Sequence, residues 1–322
     1  MLTRRYLRIK VLQELYAFSR NQEADYAKAE KKLLHNIHAI YDLYIFQLSY
    51  LCELRDFEEE RQEEAQKKYY PTEEDLNPNT KFIDNPLIHQ IANNNMFKRL
   101  SKQLKVNWGD KKDLFRNSLK LIKESEAYKN YIASEATSYE EARQFLLKVI
   151  TTVLPYDDLL ISHYEDLNVN WVNDYDASLI LLEKTFRYMR KTDDEFRDLP
   201  ALFSAAIEDN GRNVDEEFVK KLFRSVIMNT EELDKLIRER TEKWDFDRIA
   251  ILDIIVLRMA ITEFMSFETI PVKVTINEYI ELSKIFSTPK SSIFVNGLLD
   301  KLRKEFMEGD KIKKSGRGLI NE

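Results

Sequence analysis

Four histidines, one cysteine and many carboxylates are the side chains from which this 322-residue chain could build a catalytic or metal centre. His35, His38, His89 and His163 share no repeated spacing with Cys52. The His35/His38 pair alone offers too few donors for zinc, which takes three or four protein ligands. With 56 acidic residues spread along the chain, the sequence singles out no acid-base pair, because such a pair is defined by geometry. No G-x-x-x-x-G-K-[ST], G-x-G-x-x-G or G-x-S-x-G segment is present. The sequence therefore leads us to expect no catalytic residue, no metal and no cofactor. What remains is cationic chemistry. Residues 1–20 carry Arg4, Arg5, Arg8, Lys10 and Arg20 against Glu14, whereas residues 53–64 hold seven acids against Arg55 and Arg61. Guanidinium groups neutralise phosphates and lie flat on unpaired bases, the usual way in which single-stranded RNA is held. On composition alone, a solvated, frayed terminus is the simpler reading. The net charge of −6 also argues against indiscriminate attraction of polyanions.

The elements that must position these side chains are helices. Six glycines and seven prolines leave few places for hairpins, and 43% hydrophobic residues are ample for a core. Leu7, Val11, Leu15 and Phe18 fall on one helical stripe, with Arg5, Leu12 and Tyr16 on its flank. A long amphipathic helix is predicted from about residue 25 past Leu54. Tyr70 to Pro86, with three prolines, reads as a loop. Helical patterns resume at about 86–105, 110–134, 138–154, 156–167 and 171–191, and Asn210-Gly211 marks a turn. Four stronger segments follow at about 214–243, 247–267, 271–286 and 289–308. The second is apolar nearly all round, which requires the centre of a bundle. Thr288-Pro289 suggests an N-cap with proline at the first helical position. Residues 309–322 read as a disordered tail. The charges at the N-terminus interrupt any signal-like apolar stretch, no run of about 18 apolar residues occurs, and Cys52 has no disulfide partner. The expectation is a cytoplasmic protein with no membrane association.

Five segments then carry a resemblance: RRYLRIKVLQELYAF (4–18), VDEEFVKKLFRSVIMNTEELDKLI (214–237), WDFDRIAILDIIVLRMAITEF (244–264), IPVKVTINEYIELSKIFS (270–287) and SSIFVNGLLDKL (291–302). In order and spacing they are similar to the NusB transcription-antitermination family. The resemblance implies an all-α fold, a pair of three-helix bundles, here with a large helical insertion. It places the Arg-rich first helix at 1–20, the insertion at 21–211, the main helical domain at 212–308 and the tail at 309–322. For function it implies a non-catalytic adaptor binding boxA-type RNA in nascent ribosomal RNA leaders. The implied partners are the small-subunit ribosomal protein also called NusE, with NusA, NusG and RNA polymerase.

Carried onto matching positions, the resemblance implies RNA contact by Arg4, Arg5, Arg8, Tyr16, Lys290 and Ser291, and partner contact by Asp253. Each has a plainer reading. Tyr16 could be core. Thr288 capping the last helix explains Lys290 and Ser291 without RNA, although free amides and the helix dipole there favour an anion. Asp253, Arg258 and Glu278 sit on apolar helices, where charges call for partners, and Arg258 is expected to pair with a carboxylate. Phe294, Val295 and Leu298 are expected in the core. Asn296-Gly297 within a helix suggests close approach of another backbone. Two other functions compete. An RNA-modifying enzyme would need a Gly-rich cofactor loop and a reactive cysteine, which the sequence does not offer. A helical interaction scaffold, its insertion masking or replacing the RNA surface, is the closer rival.

Overall fold

The computed structural model describes the chain except residues 22–24, 136–137, 209–210, 242–247, 289, 310–311 and 320–322, and the side chains of 317 and 318. Trp244 to Asp247, Asn210 and Pro289 therefore lie outside the described residues. The fold is all-α. Among the described residues there is no strand, only one antiparallel bridge between Ile207 and Asn213. No described helix is long and apolar enough to cross a membrane.

Two compact units are formed: a central unit of residues 1–2 and 38–202, and a terminal unit of residues 3–37 and 203–322. Helix α2 (Tyr26–Gln66) supplies its first twelve residues to the terminal unit and the remainder to the central one.

The terminal unit is built on α1 (Arg4–Arg20), α11 (Val214–Met228), α12 (Thr230–Arg238), α13 (Ile251–Ser266), α14 (Val272–Phe286) and α15 (Ser291–Glu308). On α1, Leu7, Val11, Leu12 and Leu15 recur every three or four residues and are all buried, as the stripe requires. Helix α13 has buried residues on every side, from Ile254, Ile255 and Val256 to Ile261 and Phe264, so it is the centre of this unit. Helix α11 starts where the Asn213 side chain accepts from the amides of Asp215 and Glu216, and three acids follow in its first turn. The expected 214–243 helix is interrupted at Asn229, which ends α11 and precedes α12.

Three local expectations are corrected here. Helix α15 begins at Ser291 with no side-chain cap, and the Thr288 hydroxyl bonds the Ser291 hydroxyl instead of a backbone amide. A Cβ placed on Gly297 would meet nothing within 4 Å, so no second backbone approaches it, and both Asn296 and Gly297 face outward. Phe294 is only half-buried, whereas Val295 and Leu298 are core. Part of the expected tail is also placed: Lys314 Nζ donates to the carbonyl of Phe267 (2.8 Å), and the Ser315 amide donates to that of Glu268.

The central unit holds the rest of α2 with α3 (Glu73–Leu76), α4 (Pro86–Asn93), α5 (Asn95–Gln103), α6 (Lys112–Glu124), α7 (Glu126–Ala133), α8 (Tyr139–Thr152), α9 (Asp158–Leu167) and α10 (Tyr175–Tyr188). Short polar residues set these boundaries. Asn85, Asn94, Ser125, Ser138 and Asp157 each accept an amide of the helix they precede. Ser125 splits the expected 110–134 helix, and Thr72 with Asp75 forms a capping box inside the expected loop. The core is aromatic: Tyr50, Trp108, Phe115 and Tyr164 cluster, and Trp171 donates its indole N–H to the carbonyl of Ala39 at 2.8 Å.

Candidate nucleic-acid interface

The arginines of α1 lie in the terminal unit with the acids of α11, α13 and α14. Arg8 follows Leu7 on the stripe's edge, so its side chain enters the core, where its guanidinium is 3% exposed. It meets Glu263 on α13 in a bidentate pair, Nε to Oε2 at 2.9 Å and Nη2 to Oε1 at 2.8 Å. Thr275 and Tyr279 of α14 donate to the remaining acceptor positions, at 2.8 and 3.1 Å. The carboxylate thus accepts four hydrogen bonds. Burial disfavours the Arg8 charge, but the adjoining Glu263 carboxylate overcomes this and raises its pKa. The same burial carries the Tyr279 hydroxyl well above the ordinary tyrosine value.

Arg5 is 43% exposed and makes a bidentate pair with Glu278, at 2.8 and 2.9 Å, whose hydrogen bonds raise its pKa. Glu278 also lies 3.8 Å from Arg8, so the two arginines share an acid. Arg4 is 35% exposed, lies 3.4 Å from Asp215, and has its guanidinium 4.9 Å from the centre of the Phe218 ring, which Arg8 also approaches. Tyr16 is exposed on α1, eleven residues beyond Arg5, so the two share a face but stand about 16 Å apart along the axis.

At the other end of the expected site, Lys290 is exposed and, among the described residues, makes no ion pair. Ser291 is buried, and its hydroxyl donates to Asp253 Oδ2 at 2.7 Å. Asp253 is itself 5% exposed and its other oxygen has no partner among the described residues. The structure therefore differs from the expectation at three residues. Arg8, Ser291 and Asp253 face inward, because each lies on the buried side of its helix and finds its counterpart there. Arg4, Arg5, Tyr16 and Lys290 keep exposed surface.

Two carboxylates were not singled out from sequence. Glu263 is 0% exposed in the Ala-Ile-Thr-Glu-Phe run, and a lone acid in so apolar a helix is itself the signal that a cation must reach it. Asp234 on α12 is the carboxylate that Arg258 grips, at 2.7 and 2.8 Å. That confirms the pairing expected for Arg258 and supplies the partner.

The sequence model of the NusB family matches residues 180–304, from the last turns of α10 into α15. The chain is 41% identical over 104 residues to the transcription antitermination protein NusB of Salinibacter ruber, a stretch covering 32% of this chain and 65% of that protein. It is 42% identical over 106 residues to the NusB protein of Chloroherpeton thalassium, covering 33% of this chain and 50% of the relative. To that of Clostridium novyi it is 37% identical over 111 residues, 34% of this chain and 84% of the relative. The match thus spans less than two thirds of the first two relatives and most of the third. No solved structure matches. Similarity along most of a curated relative, on an all-α architecture, fixes the assignment: the chain belongs to the NusB family.

Proposed function

We propose that this protein is a transcription antitermination factor, a cytoplasmic adaptor without catalytic activity. In this reading it binds boxA-type single-stranded RNA in nascent ribosomal RNA transcripts together with the ribosomal protein NusE, and joins NusA, NusG and RNA polymerase. The observation that carries the reading is the similarity over 104–111 residues to relatives named for antitermination. The exposed cations Arg4, Arg5 and Lys290 supply phosphate contacts, Tyr16 supplies a ring for a base, and Arg8 and Ser291 hold the helices that present them. Asp253 holds the start of α15 by accepting from the Ser291 hydroxyl. Residues 1–20 and 212–308 form the family's domain, 21–211 an insertion, and 309–322 a tail.

One observation favours a second reading. Arg4, Arg5 and Arg8 each already face a carboxylate of their own unit, which leaves these three with little uncompensated charge. A helical interaction scaffold whose insertion masks or replaces the RNA surface would have this property. Fluorescence anisotropy of a boxA-like RNA against a scrambled control, with and without the ribosomal protein and at several salt concentrations, separates the two. Antitermination predicts boxA preference that strengthens with the partner and weakens in Arg5→Glu. Equal binding of both RNAs under all conditions selects the scaffold.

A further inference from the structure

The central unit carries its own concentration of arginine, in a different arrangement. Arg143 on α8, Arg187 and Tyr188 at the end of α10, and Arg190 and Arg197 on the chain that follows line an open groove of about 500 Å3 with Asp193. Two of the arginines build the wall. Arg143 Nη2 donates to the carbonyl of Met189 at 2.6 Å, and Arg197 Nη2 donates to that of Tyr188 at 2.8 Å. Each also pairs with one acid, Glu140 and Asp193 respectively. The other two are presented to solvent. Arg187 is 52% exposed and pairs along its helix with Glu183. Arg190 is exposed and, among the described residues, makes no ion pair.

Three of the four guanidinium groups are thus paired, and Arg190 stands at the open side with Lys191 next to it in sequence, ahead of the exposed acids Asp194 and Glu195. Burial lowers the Arg197 pKa, and the neighbouring Arg190 acts in the same direction against the opposing pull of Tyr139. Tyr188, between these cations, leaves 66% of its surface in water, and Phe196 on the same segment leaves 72%. A large ring such as Tyr188, held in solvent among the groove's arginines, costs burial and gains nothing within the unit. It is the kind of ring that serves as a stacking platform in a cationic groove. An acidic peptide would use the arginines but would have no need of the ring.

We propose that this groove is a binding site for single-stranded RNA, tolerant of sequence. Arg187 and Arg190 contact successive phosphates, Tyr188 stacks on a base, and Arg143 and Arg197 hold the backbone that carries them. The choice of RNA as the nucleic acid rests on the antitermination reading, while the groove's chemistry stands apart from it.

The test uses the full chain and anisotropy of a labelled uridine homopolymer of about twelve nucleotides, within the length that one such surface covers. Arg187→Ala/Arg190→Ala should weaken binding about tenfold or more and flatten the slope of log affinity against log salt by about 1.4, two phosphates at about 0.7 each. Tyr188→Ala should weaken it about tenfold with the slope unchanged. Arg190→Lys should keep the slope. Unchanged homopolymer affinity in the double variant and in Tyr188→Ala overturns the proposal. So does a polyglutamate peptide that binds more tightly than the homopolymer and is indifferent to Tyr188→Ala, which would assign the groove to acidic protein segments. Circular dichroism melts of the same variants exclude unfolding. A boxA-like RNA run in parallel separates the two readings. Loss of boxA preference with the groove effects intact defeats antitermination alone, and boxA preference surviving in the groove variants beside an unchanged homopolymer affinity defeats the groove alone.

Discussion

The two units use arginine in opposite ways. In the terminal unit, Arg8 is drawn through the helix stripe into the core and saturates Glu263, while Arg5 and Arg4 lie over acids of neighbouring helices. In the central unit, Arg143 and Arg197 bond backbone carbonyls, and Arg190, with no ion pair among the described residues, stands at the rim of a groove. A cluster of arginines in a sequence is thus two different objects. One, centred on the buried Arg8, fastens helices together, and its loss shows in stability. The other is held open, and its loss shows in binding.

The contrast breaks first at Arg8. Arg8→Met leaves Glu263 buried with two of its four hydrogen bonds, and should cost about 3–5 kcal/mol in urea unfolding followed by circular dichroism. A cost below about 1 kcal/mol would mean that the pair is not the fastener described. Ser291→Ala comes next. It removes the hydrogen bond to Asp253 that the described residues provide and should cost about 1–3 kcal/mol in the same assay.

Glu14 sharpens the comparison from the acidic side. It is 5% exposed on α1, and burial raises its pKa against the opposing pull of Lys32, 3.6 Å away. The folded chain therefore holds this proton more tightly than the unfolded chain. Between the ordinary value of 4.5 and the raised one, stability falls as pH rises. Glu14→Gln should be more stable than the natural chain at neutral pH, by under about 1 kcal/mol, and the advantage should vanish as pH falls to 4.5. An advantage that grows on acidification would reverse the assignment. At the small end, Arg190→Ala should change stability by no more than about 0.5 kcal/mol, since Arg190 is exposed and makes no ion pair among the described residues.

Much of the fold was legible because its signals are local. The α1 stripe, the long α2 and the all-round apolar α13 follow from spacing and residue type, and the family was legible through its resemblance in five segments. The breaks at Ser125 and Asn229 were harder. One side chain marks each, Ser125 accepting the Tyr128 amide and Asn229 donating to the Ser225 carbonyl, and the apolar period runs through both. The site was legible as a set of residue types and illegible as an orientation. Arg5 and Arg8 are alike in sequence, yet three positions of helical rotation put one at the surface and the other in the core. The groove arginines had no local signal at all, because Arg143 lies more than forty residues from Arg187 and only the packing of α8 with α10 brings them together.

Cys52 has a practical consequence. It is the chain's one cysteine, it is buried on α2, and burial pushes its thiol up to about 12. A thiol reagent at neutral pH therefore has almost no thiolate to attack while the helix stays packed. The rate at which Cys52 is labelled becomes a clock for opening of the central unit. Cysteines introduced at exposed positions such as Arg190 or Tyr16 can carry dyes without competition from the native thiol.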